Sequence, residues 1–118
     1  MELNEYQKQA MTTCMPSCNN FSYMMLNLVG EVGEFSSKVA KLIRKDEAFI
    51  DESKLYIKRH TQDEVMDALA DEAGDIFWQL TGMCQVMGYS LEEIAQRNLA
   101  KLRSRAERGV IDGNGDNR

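Results

Sequence analysis

Apolar positions recur along the chain at the spacing of amphipathic helices in four segments. These segments cover residues 3–13, 22–44, 62–87 and 91–108. Within each of them apolar residues follow one another at steps of three and four, which keeps them on one face at 3.6 residues per turn. No segment shows the sustained alternation of apolar and polar residues that a half-buried strand would show. The pattern therefore predicts an all-α fold, a helical bundle of about four main helices.

Local signals place the ends of these helices. Pro16 and the small polar residues around it break the chain after the first helix. Thr61 and Ser90 each precede a glutamate by three residues, the pattern of a capping box, and are expected to cap the third and fourth helices. Gly88 is expected to end the third helix. Residues 45–60 are charged and weakly patterned, and we expect a loop or a short irregular helix there.

Length, charge and composition narrow the class of protein. A chain of 118 residues is expected to form one domain, here residues 1–108, followed by an irregular tail at residues 109–118. The net charge of −5 leaves the chain without the positive field that attracts a nucleic-acid backbone. No apolar run approaches the roughly 20 residues that a membrane span needs. The three cysteines, without a signal sequence, predict reduced thiols in the cytoplasm.

Two of the predicted helices carry pairs of acids beside an apolar stripe. In the second helix the stripe consists of Leu28, Val32, Phe35, Val39 and Leu42. In the third helix it consists of Leu69, Ala73, Ile76, Leu80, Met83 and Met87. The acids on the matching flanks are Glu31 and Glu34 in the second helix and Glu72 and Asp75 in the third. The two helices therefore offer equivalent i, i+3 carboxylate pairs.

The two segments match at further positions. Gly33 and Gly74 occupy the same place within their acid pairs, and Lys38 in the second helix corresponds to Gln79 in the third. A glycine inside a helix costs about 1 kcal/mol relative to alanine. We therefore expect a close approach between helices at both glycines.

Four carboxylates at the edge of one core repel one another. At about 4 Å, two like charges cost roughly 1 kcal/mol in water and more in a drier site. Divalent cations relieve this repulsion, and ligands that are all oxygen suit Mg²⁺ or Mn²⁺. One such pair alone is more often a solvated helix face. The repetition on two helices favours a metal site that handles phosphates.

The third helix is apolar on nearly all sides. Away from its main stripe it carries Ala70, Phe77, Trp78, Thr81 and Cys84. Such a helix has to be buried over most of its surface. A homo-oligomer is the simpler way to cover it, and the alternative is that the first and fourth helices of the same chain do so.

The fourth helix combines an apolar face with a basic end. The residues expected to face the core are Leu91, Ile94, Ala95, Leu99 and Leu102. Asn98, Lys101 and Arg105 lie on a common side of the helix. Two interpretations stay open: the cations stabilise the negative end of the helix dipole, or Asn98 and Lys101 reach a triphosphate held by metal ions.

These motifs resemble those of the MazG-like nucleotide pyrophosphohydrolases. The segments Leu28-Val-Gly-Glu-Val-Gly-Glu34 and Asp71-Glu-Ala-Gly-Asp-Ile-Phe-Trp78 are similar to the ExxE and ExxD signatures of that family. Asn4-Glu-Tyr-Gln7 resembles its opening helix, Ser90-Leu-Glu-Glu-Ile-Ala and Asn98-Leu-Ala-Lys101-Leu its last helix, and Gly115-Asp-Asn-Arg118 the C-terminal signature of one subgroup. The stretch between the two acid pairs is longer than is usual in the family, and the excess falls in residues 45–60.

The resemblance implies an Mg²⁺-dependent enzyme that hydrolyses a nucleoside triphosphate, in particular a deoxynucleotide, to the monophosphate and pyrophosphate. The implied role is the clearing of unwanted nucleotides. The metal ligands would be Glu31, Glu34, Glu72 and Asp75, one of which would also accept a proton from the attacking water. The substrate-binding residues would be Lys38, Asn98, Lys101 and Arg105 at the phosphates, and the first helix with Trp78 at the base. The family forms dimers, or tetramers built from dimers, in agreement with the apolar third helix.

Three other interpretations of the residues are weaker. A non-catalytic helical interaction module is the alternative, and it predicts no dependence on metal. A di-iron carboxylate bundle needs Glu-x-x-His pairs, which a chain with His60 as its one histidine does not contain. The segment Asp112-Gly-Asn-Gly-Asp116 resembles half of an EF-hand loop, but it lacks the glycine at position six and the glutamate at position twelve.

Overall fold

Four α-helices and a small β-hairpin make up the fold in a computed structural model that describes residues 1–115 and 118. The helices are α1 (Leu3–Met11), α2 (Phe21–Arg44), α3 (Gln62–Met87) and α4 (Leu91–Glu107). The strands are β1 (Ala48–Asp51) and β2 (Lys54–Ile57), and short 3₁₀ turns cover Pro16–Cys18 and Arg59–Thr61. The predicted class of four main helices is confirmed, with the hairpin as an addition. The EF-hand-like segment includes residue 116 and the C-terminal signature includes residues 116 and 117, and both of these residues lie outside the described residues.

The expectation of a loop or irregular helix at residues 45–60, in a chain without strands, is wrong. Strands β1 and β2 pair antiparallel, with Phe49 opposite Tyr56, and the two rings stack with centroids 5.1 Å apart. The turn between them is made by Glu52 and Ser53, whose φ values of 48° and 67° are both left-handed. Two left-handed residues match the right-handed twist of a two-residue hairpin. The signal in the sequence was a pair of short runs rich in aromatic and β-branched residues around a two-residue turn.

The structure confirms some of the predicted helix ends and contradicts one of them. The Ser90 hydroxyl accepts a hydrogen bond from the Glu93 N–H at 3.1 Å, and Gly88 ends α3 with φ 85°, both as predicted. The Thr61 hydroxyl instead donates to the carbonyl of Lys58 at 3.1 Å. Thr61 therefore does not cap α3 with its side chain, because it ends the 3₁₀ turn that leads into the helix.

The core lies where α2 crosses α3. Met24 is fully buried at this crossing, and a Cβ atom added at Gly82 would overlap its sulfur. Nothing lies within 4 Å of a Cβ at Gly33 or Gly74. The expected close approach at these two glycines is therefore wrong within one chain, and it occurs at Gly82 instead.

The face of α3 that packs on α2 is rotated from the predicted stripe. Leu69 is buried as expected, but Leu80 and Met87 are 39% and 51% exposed. In their place Glu72 and Gln79 are buried, at 8% and 1% exposure. A polar side chain can be buried when its hydrogen bonds are made, and Gln79 bonds to α2 at both ends of its amide.

Replacement of Gly82 by alanine is expected to destabilise the fold. The added methyl group would displace the fully buried side chain of Met24, at a cost of about 1–3 kcal/mol. The better helix propensity of alanine recovers about 1 kcal/mol of this. Chemical denaturation should therefore show a lower free energy of unfolding for Gly82→Ala and a higher one for the matched control Gly74→Ala. Equal stability of Gly82→Ala and the parent would contradict the packing described.

The side chain of Gln7 joins α1 to the start of α4. Its Oε1 accepts the N–H of Leu91 at 2.7 Å, and its Nε2 donates to Gln85 Oε1 at 2.7 Å and to the Tyr89 carbonyl at 3.1 Å. Beyond this junction α4 extends away from the other helices. Leu99 and Leu102 are 57% and 41% exposed, so the prediction that they face the core is wrong within one chain.

A large apolar surface is left on the outer side of α2. The exposed apolar side chains there are Phe21, Met25, Leu26, Val29, Val32 and Ile43. The accessible surface of the chain is 8683 Å², whereas a compact monomer of this mass is expected to expose about 6,500 Å². Its radius of gyration is 17.7 Å, against about 13.5 Å for a compact domain. None of the described helices is long and apolar enough to cross a membrane.

Candidate metal centre

Three of the four predicted acids meet at the α2–α3 interface. Carboxylate oxygens of Glu31, Glu72 and Asp75 all lie within 4.8 Å of one another. The packing of α2 on α3 brings them together, because Glu31 lies on α2 and Glu72 and Asp75 lie on α3. Oxygen atoms at this spacing can share one divalent cation.

The charges in this cluster oppose one another. The pKa of the Glu31 carboxyl is raised above its ordinary value, chiefly by burial and then by the charges of Glu34, Asp75 and Glu72. A hydrogen bond from Asn27 acts in the other direction. The folded protein therefore holds the Glu31 carboxylate at an electrostatic cost that a bound cation would remove.

Glu31 and Glu72 each use only one of their oxygens within the described residues. Glu72 Oε1 pairs with Lys38 Nζ at 2.8 Å, and Glu31 Oε1 accepts a long hydrogen bond of 3.4 Å from Asn27 Nδ2. Glu31 Oε2 and Glu72 Oε2 are buried without a hydrogen-bond partner among the described residues. Buried oxygens of this kind are rare in folded proteins. They fit a cation with oxygen ligands, and the residues present therefore suit Mg²⁺ or Mn²⁺.

Glu34 lies at the edge of this cluster. Its oxygens are not part of the set within 4.8 Å, and the residue is exposed. It lines a surface cleft with Ser37, Lys38, Lys41 and Glu72. The structure therefore places Glu34 beside the three-acid cluster and open to solvent.

Lys38 is the one predicted phosphate-binding residue that the structure brings to the acids. Its ion pair with Glu72, helped by the charges of Asp71 and Glu34, raises the pKa of the Lys38 ammonium. The side chain keeps 44% of its surface exposed. Lys38 is therefore a firmly charged cation at the mouth of the acid cluster.

The other predicted substrate-binding residues lie elsewhere in the chain. Asn98 and Lys101 line a surface pocket on α4 with Ile94, Arg97 and Ala100, and none of the acids lines that pocket within the described residues. Arg105 is buried near the end of α4. The Trp78 indole N–H donates to the Ala10 carbonyl at 3.1 Å and to Thr13 Oγ1 at 3.0 Å, so it joins α3 to α1.

Asn27 and Gln79 also belong to the site. The sequence pattern predicted no role for Asn27, and it indicated Gln79 only as the counterpart of Lys38. Asn27 Nδ2 donates to Gln79 Oε1 at 2.8 Å and contacts Glu31. The available signal was a polar side chain four residues before Glu31, one helical turn away on the same face.

Mg²⁺ is expected to raise the melting temperature by several degrees, and more at neutral than at acidic pH. The folded protein binds the Glu31 proton more tightly than the unfolded chain does, because its pKa is raised. The stability that this tighter proton binding gives the folded state is fully present below the pKa of Glu31 in the unfolded chain. It is lost as the pH rises through the pKa of Glu31 in the folded protein. Calorimetry at both pH values, with and without millimolar Mg²⁺, measures this, with Glu31→Gln as the control. An unchanged melting curve across Mg²⁺ concentrations would count against a preformed site.

Comparisons with known proteins identify the family of the chain. A model of the MazG nucleotide pyrophosphohydrolase domain matches residues 19–110, which include all four acids. The Gene 37 protein of Mycobacterium phage L5 is 40% identical over 102 residues, a match that covers 86% of this chain and 80% of the phage protein. No solved structure matches. Since the family model covers most of the chain, the protein belongs to the family of MazG nucleotide pyrophosphohydrolase domains.

Proposed function

We propose that the protein is an Mg²⁺-dependent pyrophosphohydrolase that converts a nucleoside triphosphate or deoxynucleoside triphosphate to the monophosphate and pyrophosphate. The observation that carries the proposal is the cluster of Glu31, Glu72 and Asp75, in which two buried carboxylate oxygens lack a partner among the described residues. The proposed role is the removal of unwanted nucleotides from the cytoplasmic pool.

The acids perform two tasks in this proposal. Glu31, Glu72 and Asp75, with Glu34 from the edge of the cluster, would hold Mg²⁺, or Mn²⁺ in its place. When bound, the cation neutralises charge on the phosphates and polarises the phosphoryl group. One of the four carboxylates accepts the proton from water as the new bond to the α-phosphorus forms. The bond from the α-phosphorus to the bridging oxygen then breaks, and pyrophosphate leaves.

Polar and charged side chains on α2 and on α4 would bind the phosphates. Lys38 already lies against Glu72 and can turn towards a phosphate oxygen from there. Asn98, Lys101 and Arg105 are on α4, which contacts α1 and the end of α3. We therefore propose that α4 of a second copy brings Asn98 and Lys101 to the acids, whereas Arg105 is buried within its own chain and is not brought there.

Several surface properties support a homo-oligomer, either a dimer or a dimer of dimers. The chain exposes about 2,000 Å² more than a compact monomer would, and a stable interface buries about 800 Å² on each partner. The exposed apolar side of α2 and the exposed Leu99 and Leu102 of α4 would both be covered. Part of α3 is covered within the chain by α1, through Trp78 and the contact of Tyr6 with Phe77.

The base of the nucleotide would lie near α1 and Trp78. Because the indole N–H is already bonded to Ala10 and Thr13, Trp78 could contact a base only with its ring. The ring is half-buried. A base contact at Trp78 would therefore add stacking and no hydrogen bond.

A substrate screen tests the proposed reaction. Purified protein is incubated with each common nucleoside and deoxynucleoside triphosphate and a few with damaged bases, with and without Mg²⁺, and the products are separated by chromatography. Monophosphate and pyrophosphate should appear only with metal. No turnover of any nucleotide by a folded protein would favour the alternative, a helical interaction module that uses its exposed apolar surface.

A further inference from the structure

A chain of polar side chains runs from the buried core to the acid cluster. Gln79 is 1% exposed at the α2–α3 crossing. Its Nε2 donates to the carbonyl of Met24 at 3.3 Å, and its Oε1 accepts from Asn27 Nδ2 at 2.8 Å. The same Asn27 nitrogen donates to Glu31 Oε1 at 3.4 Å. Two side chains, those of Gln79 and Asn27, thus connect the core to one oxygen of Glu31.

The order of donors and acceptors along this chain is fixed. The Met24 carbonyl can only accept, so Gln79 must direct its NH₂ group towards Met24 and its oxygen towards Asn27. That oxygen in turn requires the NH₂ group of Asn27. The NH₂ group has two hydrogens, and the second is directed at Glu31.

The consequence for Glu31 is that its two oxygens are not equivalent. Oε1 is held by Asn27, whereas Oε2 is buried without a partner among the described residues and belongs to a side chain in the three-acid cluster. A carboxylate free to rotate would present either oxygen. The hydrogen bond from Asn27 selects one.

We infer that Asn27 and Gln79 are positioning residues that orient Glu31 for a divalent cation, with Gln79 fixing Asn27 and Asn27 fixing the carboxylate. The inference rests on the metal site of the proposed function. Side chains that hold a metal ligand in place typically change metal affinity about 10- to 100-fold when they are removed. Replacement of a buried amide with no such task would lower stability, because its partners lose a hydrogen bond, but it would leave metal affinity unchanged.

Titration with Mn²⁺, followed by electron paramagnetic resonance of the free ion, tests the inference without reference to turnover. Asn27→Leu should bind Mn²⁺ about 10- to 100-fold more weakly than the parent. Gln79→Leu should change affinity in the same direction, because Asn27 is then free to turn. Asn27→Ala provides a second variant at the same position in case the leucine does not fit.

Asn4→Leu is the matched control. Asn4 also bonds across two helices, to Glu92 through both ends of its amide at 3.2 Å, but it lies at the α1–α4 junction. Its replacement should leave Mn²⁺ affinity unchanged whatever it does to stability. Parent-like Mn²⁺ affinity in folded Asn27→Leu, Asn27→Ala and Gln79→Leu would overturn the inference and leave the metal site standing. A parent protein that binds no Mn²⁺ would overturn the metal site and the inference together.

Discussion

Glu72→Gln should lower turnover of the nucleotide substrate by about 100- to 1,000-fold or more while the helical fold is retained. The loss of one anionic ligand from a catalytic cation removes several kcal/mol of transition-state stabilisation, and each 1.36 kcal/mol is tenfold in rate. The fold should tolerate the change, because Glu72 Oε2 has no partner among the described residues to lose and a glutamine oxygen can still accept from Lys38. Steady-state kinetics with the substrate found in the screen, and circular dichroism, measure the two effects.

The control for this variant is Glu64→Gln. Glu64 is an exposed acid in the first turn of α3, away from the cluster. Its replacement removes the same charge from the same helix and should change turnover less than about twofold, since exposed charges are worth little. Near parent-like turnover in Glu72→Gln would show that the carboxylate cluster does not perform the reaction.

Val29→Asp should convert the proposed oligomer into monomers. Val29 is 71% exposed in the middle of the apolar side of α2, next to Leu26 at 67%. If a second copy covers this surface, the variant places an unpaired charge in the interface at a cost of several kcal/mol. That cost weakens association by at least about 100-fold. Light scattering coupled to size-exclusion chromatography measures the mass directly.

Turnover by the same variant tests whether the site needs the second copy. If Asn98 and Lys101 come from the partner, monomeric Val29→Asp should lose most of its turnover. Met15→Asp adds the same charge at a position that is 61% exposed in the loop before α2, and it should remain oligomeric. A parent protein that is already a monomer, or a Val29→Asp protein of unchanged mass, would contradict an interface on α2.

The helical part of the fold could be read from the sequence because four segments carry apolar residues at helical spacing. The end of α3 and the start of α4 follow from Gly88 and the Ser90 cap, signals that act within a few residues. The hairpin was missed because each of its strands has only four residues, too few for alternation to stand out. The exact face of α3 was missed because burial of Gln79 depends on partners in α2 that periodicity along one helix cannot show.

The acid cluster was predictable for a related reason. Two i, i+3 pairs on the matching flanks of two packed helices lie along one interface, and three of the four acids meet there. The oxygens that remain available depend on Asn27 and Lys38, and their contacts follow from side-chain geometry in three dimensions. The position of Asn98 and Lys101 relative to the acids depends on the direction of α4 relative to the other helices. No local sequence pattern determines that direction.

The hairpin is a place where the sequences of related proteins can change in length. It is closed at its base by short-range bonds, from the Glu47 N–H to the Leu42 carbonyl at 2.8 Å and from the Lys58 N–H to the Glu47 carbonyl at 2.9 Å. Longer connections between two fixed points cost only slowly increasing entropy. Insertions and deletions between Glu47 and Lys58 can therefore accumulate over evolution, or be engineered as grafts, while the two acid pairs keep their register across the α2–α3 crossing.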